Sequence, residues 1–165
     1  MAMLRLFPVV VVVAVLCLAL AGATLAAPLL PFVVEGRVYC DTCRAGFETS
    51  ATQYIEGAKV RLECKHFATG VVEHAVEGVT DGTGTYRIEL ADSHEEEICE
   101  VALVASPLSG CAEIAAGRDR ARVLLAHDSG LASNVRYANP LGFLKEEPLA
   151  VCGALLQQYA LGDDE

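Results

Sequence analysis

The residues with the most chemistry to offer are cysteines: the chain holds seven, two of them in a C-x-x-C, Cys40-Asp41-Thr42-Cys43. Such a pair can be a redox couple, half of a zinc site, or two members of a disulfide framework. The redox form wants a cysteine at a helix N-terminus inside a βαβ unit, and the β-rich run Phe32 to Cys40 supplies no helix. Zinc wants a second C-x-x-C or a histidine pair nearby, whereas Cys64, Cys99, Cys111 and Cys152 are single and widely separated. Cys17 lies in an apolar N-terminal run. Six cysteines therefore remain for the folded part, an even number suited to three disulfides in an oxidising compartment. Counting alone permits fifteen pairings. Side chains alternate along an extended chain, so Cys40 and Cys43 point to opposite faces and should bond to different partners.

The remaining candidates for chemistry read as loops and turns. His66, His74, His94 and His127 show no H-E-x-x-H or other zinc-site spacing. His94-Glu95-Glu96-Glu97 reads as a solvated acidic loop before a strand, without the glycine and ligand spacing of a calcium loop. Asp81-Gly82-Thr83-Gly84 echoes an acid-protease loop, but that chemistry needs two carboxylates sharing a proton, and the motif occurs once. There is no G-x-S-x-G elbow and no phosphate-binding glycine loop; Ser106 to Cys111 reads as a loop leading into a bridged cysteine. With no tryptophan, a stacking platform for sugars is not expected. Neither Asn134-Val135-Arg136 nor Asn139-Pro140-Leu141 is a glycosylation acceptor. No catalytic residue, metal, cofactor or N-glycan is expected.

The elements that must position the cysteines follow from pattern. Arg5 followed by the uncharged run Val9 to Leu20 and small residues reads as a signal peptide, residues 1–26, with cleavage between 23 and 27. The run is short for a membrane span, and no second one follows. Residues 27–165 then form one domain with a single core. Lys59-Val60-Arg61-Leu62-Glu63-Cys64, Tyr86-Arg87-Ile88-Glu89-Leu90 and Cys99-Glu100-Val101-Ala102-Leu103 alternate with period two, the pattern of half-buried strands. Cys64 and Cys99 both fall on the inner side, as a bridge between sheets would require. Val71 to Val76 adds a strand, and Glu56-Gly57, Thr69-Gly70 and Asp81 to Gly84 are turns. Arg118 to Arg122 reads as an exposed charged loop or helical turn, Tyr137 to Phe143 as extended, Cys152 to Tyr159 as a short helix, and Gly162 to Glu165 as a frayed acidic tail. The fold class is all-β: an antiparallel β-sandwich or small barrel with three disulfides and a short C-terminal helix. The order G-x-V at Gly36, G-A-x-V-x-L at Gly57 and T-D-G-T-G-T-Y at Thr80 resembles transthyretin-like sandwiches.

A net charge of −10 disfavours nucleic acid and anionic membrane surfaces as partners. Removing Arg5 with the signal makes the domain more negative still. The acidity reads first as solubility and second as a preference for a basic or calcium-bearing extracellular partner.

Glu35-Gly36-Arg37-Val38-Tyr39-Cys40-Asp41-Thr42-Cys43-Arg44 resembles the signature of the pollen Ole e I family. The resemblance runs on through Gly57-Ala58-Lys59-Val60, Cys64, Thr80-Asp81, Gly84-Thr85-Tyr86, Cys99, Ser106-Pro107, Cys111, Ala138 to Gly142 and Cys152, and is strongest to the grass-pollen branch. It implies bridges Cys40 with Cys111, Cys43 with Cys152 and Cys64 with Cys99. Relatives often carry a glycosylation sequon after the signature, where this chain reads Glu48-Thr49-Ser50-Ala51-Thr52. The resemblance also implies a secreted, monomeric pollen protein acting in hydration or pollen-tube growth through an extracellular receptor or cell-wall component, and an allergen. Two other readings stand beside it: a trypsin-type inhibitor using Arg118 to Arg122 as a rigid loop, and a small-molecule carrier using the sandwich interior. An enzyme is the least expected class.

Overall fold

The structure, a computed structural model, describes residues 30–91 and 93–159. The N-terminal segment with Cys17, expected to be a signal peptide, and the acidic tail lie outside these residues. Nine strands and one helix follow in order: β1 (Phe32–Asp41), β2 (Gln53–Tyr54), β3 (Lys59–His66), β4 (Val72–Val79), β5 (Thr85–Leu90), β6 (Glu97–Ala105), β7 (Arg120–Val123), β8 (Val135–Tyr137), β9 (Leu141–Leu144) and α1 (Cys152–Gln157). They form two sheets, one built on β1 and one in the order β4-β3-β6-β7. The second sheet is antiparallel throughout.

The first sheet is organised by β1, which is long enough to take two neighbours on each edge. β5 pairs with its first half and β2 with its second, both antiparallel. On the other edge β8 and β9 pair in parallel, at Val33–Glu35 and Val38–Asp41. Alternation reports that a stretch is extended, but says nothing of the direction of its neighbour. The parallel pairings within Tyr137 to Phe143 were for that reason invisible, as was the interruption between Tyr137 and Leu141. Pro140, without an amide hydrogen, sits in that gap.

The sheets bury their alternating residues against each other. Phe32, Val34, Val38 and Cys40 of β1 meet Val60, Leu62 and Cys64 of β3, Tyr86 and Ile88 of β5, Val101 of β6 and Phe143 of β9 in one core. Burying each large apolar side chain contributes about 1.5–3 kcal/mol. A smaller cluster holds α1 beneath the signature turn: Cys43, Cys152 and Leu155, with Ala45, Ala51, Leu149 and Leu156 against them. Six residues of helix are too few to persist alone, so α1 depends on this cluster and its bridge. Gly84 is required where it stands: its φ is 73°, and a Cβ would lie 2.8 Å from the Val38 carbonyl oxygen.

Three expectations need correction. Arg120 to Val123 is strand β7, paired to β6 from Ala102 to Cys99, not a loop or helical turn. Its alternation is hidden because the inner positions hold small Ala121 and half-buried Val123, while Arg120 and Arg122 face outward and pair with Glu100. Cys64 and Cys99 face inward but do not join two sheets: they are directly paired neighbours in the second sheet, with Cα atoms 4.0 Å apart. Glu97 belongs to β6 and its side chain is nine-tenths buried, unlike the solvated loop its acidic neighbours suggest.

Candidate functional site

The signature segment is where the most structural work is concentrated. β1 ends at Asp41, whose carboxylate turns back to accept the backbone N–H groups of Cys43 (3.2 Å), Ala45 (3.0 Å) and Gly46 (2.7 Å). Thr42 is buried, donates its hydroxyl to Ala51 O and offers its own carbonyl to the Leu149 N–H. Arg44 adopts a left-handed φ of 53°. A non-glycine residue there is strained, and its guanidinium holds the turn by gripping Glu113 with two hydrogen bonds, at 2.7 and 2.9 Å, and the Lys145 carbonyl at 2.8 Å. Those bonds hold the Glu113 carboxyl below its usual range. Glu35 and Arg87 pair across the first sheet at 2.9 Å. Gly36 leaves room for the buried Tyr86 ring, whose Cζ would lie 2.6 Å from an added Cβ. Val38 and Tyr39 are buried beside Leu141 and Gly142 of β9.

The two cysteines of the C-x-x-C part company at this turn. Cys40, on β1, bonds to Cys111, and Cys43 bonds to Cys152 at the start of α1. The third bridge is Cys64–Cys99. All six sulfurs are committed to bridges, so the C-x-x-C offers no thiol pair.

Asp81 to Gly84 forms a tight turn between β4 and β5. The Asp81 carboxylate accepts the Thr83 hydroxyl at 2.6 Å and the N–H groups of Thr83 and Thr85, and these bonds hold its pKa low. Arg118 donates to the Gly46 carbonyl, which ties the segment before β7 to the signature turn. The histidines separate into two kinds. His66 accepts the Ala68 N–H and stacks on Phe67, and His127 stacks on Phe32 with centroids 4.4 Å apart. His74 and His94 instead converge on Glu97.

Sequence reasoning passed over two residues. Arg136 is buried in β8, stacks over Phe32 and donates to the carbonyls of Leu124, Ala126 and Ser133. Tyr137, beside it, is 75% exposed. Its cleft, about 300 Å³, is lined by Glu35, Arg37, Thr85 and Pro140. Arg37 also lies over the ring of half-exposed Tyr54, 4.7 Å from its centroid. Tyrosine and arginine side by side on an exposed sheet face form the composition that dominates binding energy at protein interfaces. The one signal in sequence was two aromatics and an arginine at outward positions of strands. Among the described residues no helix is long and apolar enough to cross a membrane.

Comparison with known proteins agrees with this architecture. The family described as "Pollen protein Ole e 1 like" matches residues 30–160. The chain is 59% identical over 155 residues to pollen-specific protein C13 of Zea mays, covering 93% of this chain and 91% of that protein. It is 50% identical over 133 residues to pollen allergen Phl p 11 of Phleum pratense, covering 80% and 93%. The crystal structure of the major plantain pollen allergen Pla l 1 superimposes with a TM-score of 0.66 at 31% identity, covering 74% of this chain and 99% of that one. A match reaching from the first strand past the last helix, with relatives at half identity or more, means that the chain belongs to the Ole e 1-like pollen protein family.

Proposed function

We propose that this is a secreted pollen protein that binds an extracellular protein, a receptor or a cell-wall component, during pollen hydration or pollen-tube growth. The observation that carries the reading is the exposed patch of Tyr137, Arg37 and Tyr54 on a bridged scaffold, in a chain whose relatives are named for pollen. The bridges hold the patch rigid, which limits the ordering cost of binding. The outer face of the second sheet is a poorer candidate, because its charges neutralise one another: Arg61 with Glu77, Lys65 with Glu63, Arg120 and Arg122 with Glu100. Relatives named as allergens support the further reading that antibodies against grass pollen recognise this chain.

The inhibitor and carrier readings have less support. Arg120 and Arg122 lie in a paired strand rather than a protruding loop. The sandwich interior is filled by Phe32, Val34, Leu62, Tyr86 and Phe143, each at most 1% exposed.

The test is affinity capture from stigma and pollen-tube extracts with the oxidised domain and with its Arg37→Ala/Tyr137→Ala variant. A cell-surface or wall protein held by the wild type and released by the variant supports the proposal. Equal capture by both removes the patch. Retention of a fluorescently tagged full chain inside the cell, with none in the medium, removes the secreted reading.

A further inference from the structure

β6 places Glu97, Cys99, Val101 and Leu103 on one face, and that face is the core side. A carboxylate in this row is out of character. Its side chain is 10% exposed, and Oε2 finds no hydrogen-bond partner among the described residues. Across the sheet, Cys64 of β3 pairs with Cys99 on one side and with His74 of β4 on the other, so His74 projects from the same face. His94 arrives from the turn before β6, fixed by its N–H to Leu125 O and by the Glu97 N–H to its own carbonyl. Three polar side chains thus meet at one end of the sandwich, His94 and Glu97 from one turn and His74 from twenty residues earlier.

Their geometry suits a shared positive centre. His94 Nε2 lies 3.0 Å from Ala91 O, which can only accept, so Nε2 carries the proton. Neutral His94 then aims the lone pair of Nδ1 at Glu97 Oε1, 3.1 Å away. His74 Nε2 approaches the same oxygen at 3.6 Å. Two acceptors in contact repel unless a cation lies between them. A proton on Nδ1 would serve that contact alone, leaving the approach of His74 to the same oxygen without a shared centre.

We propose that His74 Nε2, His94 Nδ1 and the Glu97 carboxylate form a binding site for a divalent transition cation of the zinc type. Ligands about 2.0–2.1 Å from a tetrahedral metal stand about 3.3 Å apart; the two nitrogens lie 3.1 and 3.6 Å from Glu97 Oε1, and the two imidazole centroids are 4.8 Å apart. Two imidazoles and one carboxylate suit zinc, with a fourth position left for water on the half-exposed His74 side. Calcium would want six to eight oxygens, which these side chains do not supply. The Ala91 carbonyl fixes the His94 ring as outer-shell acceptors do for metal-bound histidines. Cys64 and Cys99 also lie close: their sulfurs and the ligand atoms of His94 and Glu97 all lie within 4.8 Å of one another, with the half-exposed His74 outside that set. Bonded to each other, they offer no thiolate. Glu73, Glu95 and Glu96 line the surrounding depression and favour cation entry. Such an ion would join β4, β6 and the turn before β6, and it is independent of the partner-binding patch.

The test is equilibrium dialysis of zinc against the full domain with all three bridges verified by thiol titration, supported by the visible absorption of bound cobalt(II). One zinc per chain is expected, with affinity lowered at least about tenfold in His74→Ala and in Glu97→Gln, and unchanged in His66→Ala. His74 is half-exposed, so its variant should fold, as checked by circular dichroism without metal. No saturable binding at millimolar zinc would mean that a proton alone fills the gap and overturns the proposal. Binding unaltered in both His74→Ala and Glu97→Gln would place the metal elsewhere and overturn it equally.

Discussion

Replacing Tyr86 by phenylalanine should stabilise the protein, and increasingly so as pH rises. The Tyr86 side chain is 1% exposed, and its hydroxyl has no hydrogen-bond partner among the described residues. A hydroxyl buried without a partner costs about 1–3 kcal/mol. Removing it leaves a small void, so a net gain on the order of 1 kcal/mol is expected, worth about 3–5 °C in Tm for a domain of this size. The pH dependence has a definite sign. Burial raises the Tyr86 pKa well above its ordinary 10.0. Above pH 10 the unfolded chain releases this proton and the native chain keeps it, so the unfolded state binds fewer protons and stability falls. The contribution is complete below pH 10 and is lost as pH climbs through the folded value. One unit above the ordinary value the loss is about 1.4 kcal/mol. Tyr39, also raised by burial, lowers stability at high pH in both proteins alike. The advantage of Tyr86→Phe should therefore grow by about 1.4 kcal/mol between pH 8 and pH 11, measured by urea unfolding with the bridges intact. A variant less stable than wild type at pH 8, or an advantage that does not widen, would show that the hydroxyl has a partner and refute the reasoning.

Three further outcomes can be checked by the same unfolding assay. The Cys43–Cys152 bridge spans 109 residues, but in the unfolded chain Cys40–Cys111 already shortens that path to about 45, so Cys43→Ala/Cys152→Ala should cost about 4 kcal/mol rather than the ~4.8 of an isolated bridge. Far-ultraviolet circular dichroism should also lose the signal of α1. Asp41→Ala strips three N–H groups of their acceptor and should cost about 2 kcal/mol. Gly84→Ala should cost more than about 2 kcal/mol, because a left-handed φ and a backbone clash coincide; Gly46→Ala, with a φ of 80° and open space around it, should cost only about 1 kcal/mol.

The sandwich was legible because its core strands keep strict alternation: Val60, Leu62 and Cys64, or Tyr86, Ile88 and Leu90, announce one face without reference to anything distant. β7 was not, because its inner residue Ala121 is small and its outer residues are arginines, a composition shared with loops. β8 and β9 are only three and four residues long, and their parallel partner is encoded about 100 residues earlier. The bridges were half legible. Parity separates Cys40 from Cys43 and turns Cys64 and Cys99 inward, but partner identity depends on topology. His94 to Glu97 was weighed as a cation loop and read as solvated because two acidic neighbours mask the buried carboxylate, and His74 escaped because β3 lies between β4 and β6, so no spacing motif joins it to them. Its one sequence signal was phase, an acid two residues before Cys99 in a row that is otherwise apolar.

The position of β1 sets an order of events during synthesis. The first strand to emerge has parallel neighbours that follow about 100 residues later, and Cys40 and Cys43 precede their partners by 71 and 109 residues. Until Cys111 is made, the partners at hand within the domain are each other, Cys64 and Cys99. Any such linkage must be undone by thiol–disulfide exchange before the native one can form. Only Cys64 and Cys99, 35 residues apart on neighbouring hairpin-rich strands, can close early and stay closed. The yield of oxidative refolding is therefore expected to respond to a disulfide isomerase more than to an oxidant.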